Sequence, residues 1–478
     1  MTPLYCNPLA LPNYGRGRPC FDKEKYEWGW YHETRRDFRE MADPTVIWWE
    51  NEWFLFPSAG MVWRSKDWTN WEFCPIEPFD IGYAPTVEKW RDLAGETWIL
   101  LTASGSEMWR ARHPLGPWEN IGPIRLPSGE VGKWDDPALF FDDDERLFCY
   151  NGIGARGIWV VELDRENPAQ IVSEPLECLK FNPENKWERG GDCNEDAQKS
   201  MTEGAWMTKH NGRYFLQYSA PGTEWKTYAV GTYVGDSPLG PFKYQARNPI
   251  LRAQNGDFVN GTGHHCLVRG PNGPDGTPTL WCFYSTSVRI QHAFERRIGL
   301  DAAGFDEAGN LFVNGPSQTP QRAPGTQNRP ENGNDSGLLP LSINRFCRAS
   351  SFQTGREPIW AFDNNIRTWW QAAPGDKSPW ICVDLNRPRE VGAARICFGD
   401  VGLDYDAGIV PAPYKWALEG SLDGQTWFDL WDARQNAEEK HIAFGFWRGQ
   451  TARWVRLQIL EWPRGMSASL WQLTLFGR

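Results

Sequence analysis

No run of 18 apolar residues occurs anywhere in the 478-residue chain, which excludes a membrane-crossing helix. The N-terminus, MTPLYCNPLALPNYGRGRP, lacks a charged region followed by an apolar core, so it does not read as a secretory signal. A cytoplasmic location is expected, or an extracellular one if a signal has been removed. Basic residues are in deficit: 50 Lys and Arg face 61 Asp and Glu, leaving a net charge of -11. That balance argues against nucleic acid, whose recognition wants a basic groove. Paired cysteines are missing as well. The eleven are odd in number and scattered (Cys6, Cys20, Cys74, Cys149, Cys178 and onward), with no CxxC. This pattern fits small buried hydrophobes in a reducing compartment better than a disulfide framework. No His/Cys cluster has zinc spacing, and nothing marks an obligate protein partner.

Helical periodicity is scarce too. In its place stand short runs rich in Val, Ile, Tyr, Phe and Trp, broken by Gly, Asn, Asp and Pro, which is an all-β signature. Examples are TVIWWENEWFLFPSA (45–59), TWILLTASG (97–105), ALFFDDDERLFCYNG (138–152), AWMTKHNGRYFLQYSA (205–220) and TLWCFYSTS (279–287). Several read as hairpins around polar turns such as His210-Asn211-Gly212. Their openings recur at Asp43-Pro44, Ala84-Pro85, Asp136-Pro137, Glu203-Gly204 and Gly263-His264. A later echo, RHPLGPW (112–118), returns as DSPLGPF (236–242). Repeats of about 40–70 residues, each with three or four strands, predict a five-bladed β-propeller over 1–320. The run GPSQTPQRAPGTQNRPENGNDSG (315–337) is nearly free of apolar residues, so 321–344 is expected to be a linker. Alternating patterns then resume, predicting a β-sandwich or jelly roll over 345–478.

The innermost strand of each propeller blade lines the central channel, so residues at the five openings converge although they lie far apart in sequence. Asp43, Asp136 and Glu203 therefore face one funnel. A carboxylate trio suits glycoside hydrolysis: one ionised group activates water, one protonated group releases the leaving oxygen, and a third raises the acid's pKa by like-charge repulsion. The chain is also rich in tryptophan, 29 residues, whose flat faces stack on sugar rings as readily as they fill β-sheet cores.

The openings ADPTVIWWENEWFLF, WDDPALFFDDDERLFCY and TEGAWMTKHNGRYFLQYS, with GTGHHCLV after them, resemble glycoside hydrolase family 43 over roughly 35–300. The resemblance implies Asp43 as general base, Asp136 as pKa modulator and orienter, and Glu203 as general acid of an inverting glycosidase. It makes His264 a channel histidine beside a calcium or sodium ion of mostly water ligands. His265, Arg289, Trp63 and Trp206 are the candidates for substrate contact, with Trp109 and Trp225 behind them. Propellers of families 32 and 68 fit less well, because Asp-Asp-Pro and Glu-Gly stand here where those families carry Arg-Asp-Pro and Glu-Cys.

At the other end, PIWAFDNNIRTWWQA (358–372), SPWICVDL (378–385), YKWALEGSLDGQTW (414–427) and ARWVRLQIL (452–460) resemble discoidin-type domains, carbohydrate-binding modules of family 32 among them. The resemblance implies a jelly roll with a structural calcium loop containing Asp363, Asn364 and Thr368. On this reading the domain either binds sugar or packs on the propeller, and deleting residues after about 340 is expected to spare hydrolysis of small substrates. The expected substrate is an oligosaccharide or polysaccharide side chain carrying a terminal pentose, α-L-arabinofuranosyl first, with β-xylosidase and β-galactofuranosidase activities as alternatives. A non-catalytic carbohydrate-binding propeller is the rival from another class.

Overall fold

The computed structural model describes residues 1–12, 39–58, 60–76, 83–288 and 294–478. Residues 45–313 build five four-stranded antiparallel sheets, one per predicted blade. Their innermost strands are Thr45–Trp49, Tyr83–Arg91, Ala138–Phe141, Glu203–His210 and Gly263–Arg269. The PLGP echo has a plain origin, since both copies connect the third and fourth strands of a blade, the second and the fourth.

Period-two alternation explains how the ring closes. On each second strand, odd and even residues enter different interblade cores. Phe148 packs towards the fourth blade while its neighbours Leu147 and Cys149 pack towards the second. Cys282 likewise faces the fourth blade, and Trp281 and Phe283 face the first. A separate hydrophobic core thus fills every gap between neighbouring blades, the fifth-to-first gap included. The N-terminal segment reinforces that last gap: Leu9 N–H donates to the Ile298 carbonyl at 2.8 Å, and Met41 N–H to that of Arg296 at 3.1 Å.

The stretch expected as a linker is itself paired. Gln321–Arg322 forms a small antiparallel ladder with Leu4–Tyr5, and Leu339–Pro340 already belongs to the C-terminal sheet. That domain is a β-sandwich built on the long strands Trp380–Phe398 and Ile442–Glu461, with its own core around Trp370, Ile396, Leu418 and Leu473.

The two domains share apolar surface. Ile366, Cys397, Ile442 and Trp471 of the sandwich join Phe258, Val259 and Leu311 of the propeller in one cluster. Arg395 donates to the Asn7 carbonyl and lies 4.2 Å from the Phe258 ring centroid. Of the two expected roles, packing on the propeller is the one seen, and cutting the tail away exposes a continuous core.

Among the described residues every cysteine is free, and seven are buried. No helix among them is long and apolar enough to cross a membrane.

Candidate active site

The five blade openings share one backbone feature. Asp43, Ala84, Asp136, Gly204 and His264 all lie in the left-handed region, with φ of 54, 51, 48, 59 and 39°. L-residues adopt this conformation at a cost of about 1–2 kcal/mol, so it persists where the surroundings hold it. What holds it is a serine near the end of the preceding blade's second strand. Ser285 Oγ accepts from Asp43 N–H, Ser58 from Ala84, Ser104 from Asp136 and Ser219 from His264, at 2.8–3.0 Å. At the fourth opening the arrangement differs, since Gly152 stands near the end of the third blade's second strand.

This register corrects one expectation. Asp43, Asp136 and His264 are equivalent positions, but Glu203 sits one residue earlier than they do. Gly204 holds the left-handed position in its blade, so the acid is supplied by the neighbour. Glycine is needed there for space as well: a Cβ on Gly204 would lie 3.0 Å from His264 Cγ. Of the adjacent pair Asp135 and Asp136, it is Asp136 that enters the channel, while Asp135 stands 3.7 Å from Arg156.

Asp43, 1% exposed, is the most firmly held of the acids. Arg296 Nη1 donates to its Oδ1 at 2.8 Å and Nη2 to its Oδ2 at 3.2 Å. Ser58 Oγ donates to Oδ2 at 2.7 Å, and His264 Nδ1 lies 3.2 Å from Oδ1. Burial pushes such a carboxyl upward, but the Arg296 guanidinium and His264 outweigh it, and Asp43 is held below the ordinary carboxylate range. His264 Nδ1 is also 3.5 Å from Asp136 Oδ2, so the imidazole bridges the two aspartates. Burial raises Asp136, with His264 pulling it back and Asp43 adding to the rise.

Glu203 is displaced furthest. Burial raises it well above its ordinary value and the charge of Asp136 adds to that, against a single opposing hydrogen bond from Tyr228, whose hydroxyl donates to Oε1 at 2.7 Å. The surroundings thus push Asp43 down and Glu203 up, with the charge of Asp136 adding to the rise at Glu203.

The other candidates divide. His265, 1% exposed, is turned into the blade by a register shift between Gly263 and His265, and burial drives its pKa down to about 3. It is a neutral core residue and not a substrate contact. Trp63 is fully buried, with Nε1 donating to the Pro12 carbonyl at 2.8 Å and its ring edge-on to Phe73. Trp206 is half-buried and packs against the cores on both sides of its own blade and against the one between the fifth and first blades. Trp109 lies against the core between the first two blades. Trp225 is half-buried, with Lys199 Nζ 5.3 Å from its ring centroid, and adjoins Glu224, whose charge acts on Glu203. Arg289 lies outside the described residues.

The arginine that the structure brings to Asp43 is Arg296, which sequence reasoning missed. Its signal was a pair of arginines at the head of a buried strand, RRIGLDAAGF.

Among the described residues no three His, Cys, Asp or Glu side chains group as a metal cage. His264 Nδ1 faces two aspartates, so an ion beside this residue would draw its remaining ligands from water. In the sandwich loop, Asp363 Oδ2 accepts from Thr368 Oγ1 at 2.7 Å, Asp363 Oδ1 accepts from Asn365 N–H at 3.0 Å, and Asn364 Nδ2 donates to the Gly256 carbonyl at 2.7 Å. These groups close the loop and dock it on the propeller, which does not fit an ion cage.

Residues 39–309, more than half the chain, match the family model for glycosyl hydrolases family 43. The chain belongs to that family. Residues 347–472 match the F5/8 type C domain, in keeping with the sandwich. The family 43 chain is 30% identical over 202 residues to a β-D-galactofuranosidase of Aspergillus niger, an overlap covering 42% of this chain and 52% of that protein. It is 30% identical over 183 residues to a β-xylosidase of Xylanibacter ruminicola, covering 33% and 51%. With an arabinoxylan arabinofuranohydrolase of Bacillus subtilis the identity is 27% over 280 residues, covering 52% and 50%. The chain spans about half the length of these curated relatives. The crystal structure of a thermostable family-43 glycoside hydrolase shares the fold, with a TM-score of 0.50 and 22% identity over 67% of this chain and 99% of that one.

Proposed function

We propose that this protein is an inverting exo-glycosidase that releases terminal pentose-type units, α-L-arabinofuranosyl first, from oligosaccharide or polysaccharide side chains. The observation that carries the reading is a pair of buried carboxyls pushed in opposite directions: Asp43 down, by Arg296 and His264, and Glu203 up, by burial and Asp136. Asp43, held ionised by Arg296, takes a proton from water as the water oxygen bonds to the anomeric carbon. Glu203, held protonated by burial and by Asp136, gives its proton to the departing glycosidic oxygen as that bond breaks. Water is thereby divided between sugar and leaving alcohol, with no redox change. His264 and Asp136 keep the two groups in register. These steps need no cofactor; an ion beside His264 would add positive charge to the site.

Similarity to a β-D-galactofuranosidase, a β-xylosidase and an arabinoxylan arabinofuranohydrolase supports a glycosidase of this substrate range. β-Galactofuranosidase activity is the second reading, resting on the 30% identity to the Aspergillus enzyme. A panel of chromogenic α-L-arabinofuranoside, β-D-xyloside and β-D-galactofuranoside separates the alternatives. Glu203→Gln and Asp43→Asn should each lower turnover of the best substrate by about 10²–10⁴-fold with the fold intact by circular dichroism. Wild-type turnover in both variants would remove Asp43 and Glu203 from the chemistry, and no turnover of any panel substrate by the wild type would leave a binding propeller without catalysis.

A further inference from the structure

Arg296 and Arg297 are consecutive on one strand of the fifth blade, so their side chains leave on opposite sides. Arg296 goes to Asp43; Arg297 goes to the sandwich. The Arg297 side chain is 2% exposed. Its Nε and Nη2 reach His441 Nδ1 at 3.1 and 2.6 Å, and its Nη1 donates to the carbonyls of Arg39 and Arg296 at 2.8 and 2.6 Å. With Nδ1 accepting, His441 carries its proton on Nε2, which lies 3.8 Å from Asp400 Oδ2. Asp400 accepts from Arg39 Nε at 2.8 Å, and also from Arg39 Nη2. Glu439 accepts from Arg39 Nη1 at 2.7 Å, and Tyr414 donates to Asp400 at 3.0 Å.

Arg39 belongs to the propeller, four residues ahead of Asp43, yet its guanidinium is held by two carboxylates of the sandwich. The intervening residues are pinned as well. Glu40 accepts from Arg296 Nη2 at 2.5 Å, Met41 N–H donates to the Arg296 carbonyl at 3.1 Å, and Ser58 N–H donates to the Ala42 carbonyl at 2.8 Å. No slack separates the interdomain contact from the site. A displacement of about 1 Å in a reacting group is enough to cost on the order of 10²-fold in rate.

We propose that the C-terminal sandwich is a positioning element for the active site: through Asp400, Glu439 and His441 it fixes residues 39–43, and so holds Asp43 against Arg296. The inference rests on Asp43 being the base. Asp400, Glu439, His441, Arg39 and Arg297 act through the backbone and touch no substrate, which makes them positioning residues. A discoidin-type domain here does more than carry a ligand site.

The test uses full-length variants, assayed on the best chromogenic glycoside at a temperature well below each variant's Tm. Asp400→Asn and Arg39→Met should lower kcat about tenfold or more, with KM within about twofold because sugar-binding groups stay in place. Arg39→Lys, which keeps the charge, should recover part of that loss. Arg395→Lys cuts the same interface away from residues 39–43, and should lower Tm while leaving kcat at the wild-type level. If Asp400→Asn fails to fold, Glu439→Gln, with its side chain 11% exposed, reads the same contact. Wild-type kcat in folded Asp400→Asn or Glu439→Gln overturns the proposal, as does an equal kcat loss in Arg395→Lys. An Asp43→Asn variant of full activity strikes the assignment of the base itself, and so separates that failure from a failure of the tether.

Discussion

At the scale of single residues, Glu203 is held between opposing influences, and each can be removed alone. Asp136 adds to the rise of its pKa, while the Tyr228 hydroxyl opposes it. In Asp136→Asn a source of the rise is lost, so Glu203 releases its proton at lower pH and the alkaline limb of kcat/KM should move downward. In Tyr228→Phe the opposing hydrogen bond is lost, so Glu203 keeps its proton to higher pH and the same limb should move upward. Opposite displacements in two pH–rate profiles are the expected result; movement in one direction would separate Glu203 from that limb. With Asp43 as the proposed base, Arg296→Met should raise the acidic limb, since burial then acts on the carboxyl without its strongest counter-charge. The three acids were legible in the sequence because each opens a strand beside Pro or Gly. Arg296 was not, because its contact with Asp43 spans 253 residues and exists only once the ring has closed. His265 was misread for a local reason: the left-handed residue at His264 shifts the register, and a one-residue shift exchanges the channel-facing and core-facing sides of a strand.

At the scale of elements, the innermost strands position chemistry through small residues as much as through acids. Gly263 lies under the ring of Tyr228, where a Cβ would fall 2.2 Å from a ring carbon. Gly263→Ala must displace Tyr228 from Glu203, and overpacking of this kind costs about 1–3 kcal/mol. The variant should therefore lose stability in urea and show the upward movement of the alkaline limb expected for Tyr228→Phe. A stability loss with an unchanged pH profile would show that the ring gives way without leaving the carboxyl. The blade count was readable because hairpins and the PLGP turn repeat. The equivalence of Asp43, Asp136 and His264, with Glu203 displaced by one, was not, because it is written in backbone dihedrals and serine contacts. Trp63 carries the same lesson: an aromatic stacks on sugar only if the strand's phase turns it outward, and here the blade core claims the ring.

At the scale of the molecule, two sequence domains form one packed body. Trp471 of the sandwich is fully buried and stacks near Phe258 of the propeller, with ring centroids 4.6 Å apart, and the Arg39, Arg297, Asp400 and Glu439 charges are balanced across the boundary. Breaking such a set leaves unpaired buried charges, at about 3–5 kcal/mol for one partner. Calorimetry should therefore show a single cooperative transition for the full chain, and a chain ending near residue 338 should melt lower and lose activity. Two independent transitions, or an active truncated chain, would mean that the domains do not share their stability. The sandwich itself was legible from four ordered motifs. Its attachment was not, since Arg39, Arg297 and His441 carry no local pattern and meet only through tertiary packing.

The central claim is that Asp43 delivers water from one side of the sugar while Glu203 frees the leaving oxygen on the other. The most direct measurement is NMR of the first product formed from an α-L-arabinofuranoside, read before mutarotation. The account predicts the β-anomer as the initial product. An initial α-anomer, or no hydrolysis of any glycoside in the panel, would contradict it.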